Sequence, residues 1–302
     1  MAGALTLSTL RVHSVASEYD CDAIPFPGGT VSPGGQRMNS ELLDIARDIA
    51  VAAGSMVALR RSEGVTVADL KSSPVDVVTL ADRESETLIR SLLLDARPDD
   101  GFFGEEGAVD AGTSGLTWVV DPIDGTVNYL YDIPNYAISI AVVDGTADPL
   151  TWTALAGCVL NPVSGEVYTA SAGGGAFLGS TPISVAPAVD LSQSLVGTGF
   201  SYDATTRGKQ GLVVASLLPE IRDIRRFGSA ALDLCNVASG RLNAYYERGL
   251  SPWDHAAAGL IAAEAGARVT GWNGAAASKD FLIAAEPTVA LALEKRLAEF
   301  GA

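Results

Sequence analysis

Two carboxylates, Asp121 and Asp124, stand three residues apart in the segment WVVDPIDGTVNYL, and Gly125 and Thr126 follow at once. The apolar run LTWVV reads as a strand that delivers Asp121 at its C-terminal end, a usual place for a ligand site in layered α/β structures. Pro122 then ends the ladder and turns the chain. The carboxylates on either side of the turn, with the Ile123 carbonyl between them, can face one hard cation, which takes oxygen ligands. Gly125 permits close backbone approach, and the amides of Gly125 and Thr126 can point at an anion such as a phosphate if a helix or turn starts there. Asp-Pro and Asp-Gly are also common turn dipeptides, so DPIDGT alone fits a structural turn as well. Two further acidic patches lie beside Gly, Pro or Trp: GEEG, with Glu105 and Glu106, and SPWDH, with Asp254. By itself the first fits a solvated loop and the second a helix cap. Histidine is scarce, with only His13 and His255. A His-rich zinc site is therefore excluded, and a Ser-His-Asp triad would depend on His255 alone.

These residues need elements to hold them. Leu42, Leu43, Ile45, Ala46, Ile49, Ala50 and Ala53 recur at helical spacing from Asn39, with Asn39 or Ser40 as cap. VDVVTL predicts a short strand, and Leu88, Ile89, Leu92 and Leu93 give the buried stripe of a helix from Asp82 to Asp95. LTWVVD, YAISIAVV, ALAGCVL and GEVYTA, separated by turn signals, predict a largely antiparallel meander. Helices are expected over Gly208–Leu218, Ser229–Ala238, Asp254–Ala265 and Val289–Phe300, with FLIAA as a strand. The fold class is thus α+β in the first half and α/β in the second. The boundaries read are an N-terminal half over 39–187 and a C-terminal half over 188–302. Residues 1–38, rich in Pro and Gly, read as a disordered extension.

With 302 residues, 48% of them hydrophobic, the chain can bury a substantial core. Its 36 Asp and Glu against 20 Lys and Arg give a net charge of −16, which argues against nucleic acid and anionic membranes as partners. Such a chain still accepts an anionic substrate where carboxylates first collect cations. The three scattered cysteines, Cys21, Cys158 and Cys235, encode no disulfide framework. No apolar run reaches membrane length, and the first residues lack a secretory pattern, so a cytoplasmic setting is expected.

Taken together, KSSPVDVVTLAD, GEEG, WVVDPIDGTVNYLYDIPNYAISIAVV, RRFGSAALDLCNVASGRLNAYYERG and SPWDHAAAGLIAAEAGARV resemble the inositol monophosphatase family, one of the lithium-sensitive, magnesium-dependent phosphatases. They occur in family order over most of residues 39–302. The resemblance implies a layered αβαβα sandwich of the sugar-phosphatase type, usually a homodimer, with two and at most three Mg²⁺ per subunit. Glu105, Asp121 and the Ile123 carbonyl look like ligands of a first ion. Asp121, Asp124 and Asp254 look like ligands of a second, and a third would sit near Glu105. Thr126, with Asp82 and Glu105, resembles the group that orients and deprotonates the attacking water, and Lys71 matches a family lysine near the metal site. Gly125, Thr126, Ser201, Ala230, Glu247 and Asp254 are the implied substrate contacts, Glu247 accepting from substrate hydroxyls. As a lone surface acid, Glu247 would instead pair with Arg248 or Arg241. His255 is implied only in packing or support.

The implied reaction is Mg²⁺-dependent hydrolysis of myo-inositol 1-phosphate or a close polyol phosphate, inhibited by Li⁺. Histidinol phosphate is the nearest rival substrate, since Glu247 equally suits an ammonium group. Fructose 1,6-bisphosphate is another, with Arg222, Arg225 and Arg226 nearby for a second phosphate. No aromatic platform for a nucleotide base is assignable. A regulatory binding protein on the same scaffold is the alternative of another class, and the retained carboxylates weigh for catalysis.

Overall fold

The computed structural model describes residues 33–71, 77–107 and 109–302. The part of the expected extension before residue 33 lies outside them. Pro33–Glu63 forms helix α1, so the helix expected from Asn39 starts earlier, at Pro33. The short strands β1 (Val67–Leu70) and β2 (Val77–Thr79) pair with each other and lead into α2 (Leu80–Ala96). Next come β3 (Gly101–Gly104), β4 (Val109–Asp110), β5 (Leu116–Asp124), the single turn α3 (Thr126–Leu130), β6 (Ala137–Asp144), β7 (Thr153–Leu160), β8 (Val167–Ser171), β9 (Gly175–Leu178) and β10 (Thr181–Pro182). The rest of the chain supplies β11 (Leu195–Thr198), α4 (Ala204–Leu217), β12 (Asp223–Arg225), α5 (Ala230–Ala238), β13 (Ala244–Glu247), α6 (Pro252–Glu264), β14 (Arg268–Thr270), β15 (Leu282–Ala285) and α7 (Pro287–Glu299).

Strands β3 to β10 form an eight-stranded sheet in the order β10-β9-β8-β7-β6-β5-β3-β4. From β5 to β8 it is the expected antiparallel meander, which β9 and β10 extend, whereas β3 joins β5 in parallel. The second sheet, β12-β11-β13-β15-β14, is mixed: β11 is parallel to β12 and β13, and the other pairs are antiparallel.

Three apolar cores alternate with these layers. One lies between α1, α2 and the first sheet: Leu42, Ala46, Ile49 and Ala53 of α1 pack on Trp118, Val120 and Ile140. A second joins the other face of that sheet, through Val119, Ala141 and Val159, to α5, α6 and the second sheet. The third covers the outer face of the second sheet with α4 and α7, through Val196, Tyr246, Val213 and Leu293. The architecture is therefore a five-layer αβαβα sandwich. Among the described residues, no helix is long and apolar enough to cross a membrane.

α2 starts where Thr79 caps it: Asp82 Oδ2 accepts from the Thr79 amide at 2.9 Å and from the Thr79 hydroxyl, which fixes the first turn. Its buried face is apolar at the far end, through Ile89 and Leu93, but polar at the start, through Asp82, Ser85 and Glu86. The polar end faces the site.

Candidate active site

Strand register explains how the acids meet. β3 and β5 run parallel with Gly104 opposite Val120, so the following residues, Glu105 and Asp121, are neighbours. The Glu105 amide donates to the Val120 carbonyl at 3.2 Å. In a regular strand, residues three apart point to opposite faces, which would separate Asp121 from Asp124. β5 does not end at Asp121 as expected; it continues to Asp124 through a bulge. Asp121 lies opposite Ser139 and Asp124 opposite Ala137, so one strand carries an extra residue. The bulge tolerates Pro122 in the strand, sends Ile123 into the core under α1 and returns Asp124 to the face of Asp121. Asp254 reaches the same place from α6. There it caps the helix as well, its Oδ2 accepting from the Ser251 amide at 2.7 Å, so cap and site are one arrangement.

One carboxylate oxygen from each of Asp121, Asp124 and Asp254 lies within 4.8 Å of the others. Burial, and then the Glu105, Asp124 and Asp254 carboxylates, push Asp121 well above the usual range. Asp254 is driven up by burial and then by Asp124 and Glu105. Burial raises Asp124 to about 6, against the opposing pull of the Ser229 hydroxyl and the Ala231 amide, whose donors both end on Oδ2. Glu105 is raised by burial, although Lys71 opposes this; Lys71 Nζ donates to Glu105 and to Glu106, each at 2.7 Å. Buried carboxylates aimed at one point repel one another unless positive charge joins them. An all-oxygen donor set matches a hard divalent cation, so these residues fit the metal that the sequence implies.

Beside the acids, the Thr126 hydroxyl lies 3.0 Å from Asp82 Oδ1 and 3.1 Å from the Ile123 carbonyl. Its single proton serves one of them at a time, and its lone pairs stay open to the cavity. Asp82 is buried beneath it, and that burial brings its carboxyl to about 6 despite the donors from Thr79. Gly125, at φ +97°, caps α3, and a Cβ there would lie 3.0 Å from the Gly228 carbonyl; only glycine suits both conditions.

Glu247 closes the other side. β13 runs parallel to β11 with Tyr246 opposite Thr198, so Glu247 sits against Gly199. The Tyr245 hydroxyl donates to its carboxylate, and burial lifts Glu247 to about 7. The expected rival pairings are absent among the described residues: Arg241 binds Glu166 and Arg248 donates to the Asp280 carbonyl. The cavity, about 460 Å³, is lined by Glu105, Asp121, Ile123, Asp124, Gly125, Thr126, Ser201, Ala230, Glu247 and Asp254, together with Lys71. Of the three arginines expected near a second phosphate, only Arg226 lines it. Arg225 is tied to Asp223, and the Arg222 amide serves Ser194 at the sheet edge. His255 is buried beside Trp152 and pushed down to about 4, away from the cavity wall.

Sequence reasoning missed Ser229, whose hydroxyl caps α5 and also holds Asp124. The Ser before AALDL signals the cap but not the second bond. Lys279 of the cavity wall was missed too, because an isolated lysine in a loop carries no motif.

A profile of the inositol monophosphatase family matches residues 38–300. The chain belongs to this family. A Mycobacterium leprae inositol-1-monophosphatase is 42% identical over 282 residues, 86% of this chain and 94% of the relative. A solved structure of Mycobacterium tuberculosis SuhB is 41% identical, with a TM-score of 0.73 over 87% of this chain and 97% of that one. A Vibrio cholerae relative known as Nus factor SuhB is 36% identical over 236 residues, 77% of this chain and 86% of the relative. Membership in this metal-dependent phosphatase family accounts for the layered fold and the acidic cluster together.

Proposed function

We propose that the protein is a Mg²⁺-dependent phosphomonoesterase that hydrolyses myo-inositol 1-phosphate, or a close polyol phosphate, to the alcohol and inorganic phosphate. The supporting observation is the convergence of Asp121, Asp124 and Asp254 from distant segments, beside a Thr126–Asp82 pair, at the wall of one cavity. In this reading Glu105, Asp121 and the Ile123 carbonyl hold one ion, and Asp121, Asp124 and Asp254 a second, with a third near Glu105. When bound, the ions supply positive charge that offsets the phosphate and makes water more acidic.

The chain's own residues do the rest. The amides after the bulge, at Gly125 and Thr126, receive the phosphate oxygens. Thr126 accepts a hydrogen bond from the attacking water while donating to Asp82, so the water oxygen is aimed at phosphorus. Asp82, brought to about 6 by burial, takes the water's proton by way of the Thr126 hydroxyl, which hands on its own proton, and Glu105, also raised by burial, stands beside the water as the second acceptor. The water–phosphorus bond forms as the ester bond breaks; the leaving oxygen takes a proton from a solvent water, and Asp82 gives back to solvent the proton it received, so that the alcohol and phosphate depart and the carboxylate is restored. Ser201, Ala230 and Glu247 hold the alcohol, with Glu247 accepting from its hydroxyls. The halves 39–187 and 188–302 meet at the site, and the working form is a cytoplasmic homodimer inhibited by Li⁺ at a metal position.

The test is phosphate release from myo-inositol 1-phosphate, histidinol phosphate and fructose 1,6-bisphosphate, with and without Mg²⁺, by the wild type and Asp121→Asn. The expected result is preference for inositol phosphate, dependence on Mg²⁺ and an inactive variant. Preference for another ester removes the substrate assignment, and no cleavage of any removes the enzyme. Similarity to a relative known as a Nus factor favours a second reading, a regulatory binding role. A partner captured equally by wild type and Asp121→Asn would support it.

A further inference from the structure

The stretch Gly197, Thr198, Gly199 carries two glycines two residues apart, and β11 sets them against two side chains of β13. Gly197 pairs with Tyr245 and Thr198 with Tyr246, so Gly199 falls beside Glu247. Residues two apart in a strand share a face, which puts Tyr245 and Glu247 together on the inner side of the second sheet. Neither glycine position has room for a side chain. A Cβ at Gly197 would lie 3.1 Å from the Tyr245 ring and 2.9 Å from Leu242 Cδ1, and one at Gly199 would lie 1.8 Å from Glu247 Oε2. Between them the Thr198 hydroxyl donates to the Tyr246 carbonyl at 2.9 Å and ties the two strands at that height.

In this seat the two carboxylate oxygens of Glu247 have separate tasks. The Tyr245 hydroxyl donates to Oε2, and Oε1 takes no donor among the described residues. Tyr245 is fully buried in the core between the sheets and cannot touch a substrate, whereas Glu247 lines the cavity. Burial, and then the Glu247 and Asp233 carboxylates, hold the Tyr245 proton in place well above its ordinary range, so the hydroxyl stays a donor. At Glu247 burial favours the protonated form, the Tyr245 hydroxyl and Arg226 oppose it, and Asp124 adds to it. The bond from Tyr245 thus favours the carboxylate that accepts hydrogen bonds. A carboxylate held by one oxygen also has less freedom to lose when a ligand binds the other.

We propose that Tyr245 is a positioning residue for recognition of the alcohol: seated against Gly197, it clamps Oε2 of Glu247 and leaves Oε1 for the hydroxyls of the substrate. The inference rests on the phosphatase reading and deepens it, because selection of hydroxyl-bearing esters then depends on a side chain that never meets the substrate.

The test measures kcat and KM for myo-inositol 1-phosphate and for phenyl phosphate, which offers no hydroxyl to Glu247. The proteins are the wild type, Tyr245→Phe, Glu247→Ala and the double variant. Tyr245→Phe should lower the ratio of the two kcat/KM values, inositol phosphate over phenyl phosphate, by about tenfold, the worth of one hydrogen bond to a charged group. The loss should fall on KM and not on kcat, as for binding made equally in ground and transition states. In the Glu247→Ala background Tyr245→Phe should lower the ratio no further, since the two residues act as one unit. A ratio that Tyr245→Phe leaves unmoved, a loss carried by kcat, or a second fall in the Glu247→Ala background overturns the proposal while the phosphatase reading stands. Cleavage of neither ester removes that reading, and calorimetric titration of myo-inositol 1-phosphate into the Mg²⁺-loaded protein then decides the seat. Binding about tenfold weaker in Tyr245→Phe supports it, and equal binding or none overturns it.

Discussion

Replacing Glu247 with Gln should make the protein more stable and the enzyme worse, and the stability gain should depend on pH in a fixed direction. Burial raises the Glu247 carboxyl from 4.5 to about 7. A folded-state value above the unfolded one means that the folded state holds the proton more tightly. The stability this contributes is full below about pH 4.5 and is lost as pH rises toward 7. At roughly 1.4 kcal/mol per unit, ionising the buried group costs about 3 kcal/mol, and the edge it presents to the cavity reduces this to about 2 kcal/mol. Gln carries no such cost, and its amide oxygen can still accept from Tyr245. Urea unfolding of metal-free wild type and Glu247→Gln is therefore expected to coincide at pH 4.5 and to differ by about 2 kcal/mol in favour of the variant at pH 8. The general acidity of the chain affects both proteins alike and cancels in the difference. The same substitution should lower kcat/KM on inositol phosphate by roughly 10- to 100-fold, the worth of hydrogen bonds to a charged acceptor. An equal stability gap at both pH values would refute the reasoning, because it would locate the effect in packing and not in the buried charge.

Four further outcomes follow from the same geometry. Asp121→Asn should abolish Mg²⁺-dependent phosphate release and the rise in Tm that Mg²⁺ gives the wild type, read by activity assay and thermal melt. That rise should be larger at pH 8 than at pH 5, because burial raises Asp121, Asp124 and Asp254, with repulsion from neighbouring carboxylates adding to it at Asp121 and Asp254, and protons then compete with the cation. Thr126→Ala should lower kcat by about 10²- to 10⁴-fold with little change in KM, since it removes the group that aims the water. Gly199→Ala places a Cβ 1.8 Å from Glu247 Oε2; steady-state kinetics should show a raised KM, and urea unfolding a loss of about 1–3 kcal/mol.

Much of this was legible in the sequence because each signal had its own local cause. Helical spacing placed the buried stripe of α1, alternating apolar runs placed β5 to β8, and the paired acids of DPIDGT marked the site. The mistaken detail was the end of β5, and it is instructive. Proline and two aspartates announce a turn, and nothing within six residues reveals that Ser139 and Ala137 across the ladder hold the strand in place through a bulge. Only that partner decides whether Asp124 joins Asp121 or points away from it. Glu105 is a similar case: GFFG is too short and glycine-rich to read as a strand, yet its parallel pairing with β5 is what brings Glu105 to Asp121. Ser229 and Lys279 escaped because their roles exist only once distant segments meet. The chemistry thus shows in residue type and spacing, while its geometry comes from pairing across the sheet. Substitutions at Ser139 or Ala137 should accordingly disturb metal binding without touching a ligand, as changes in the affinity of Asp124's site measured by calorimetry.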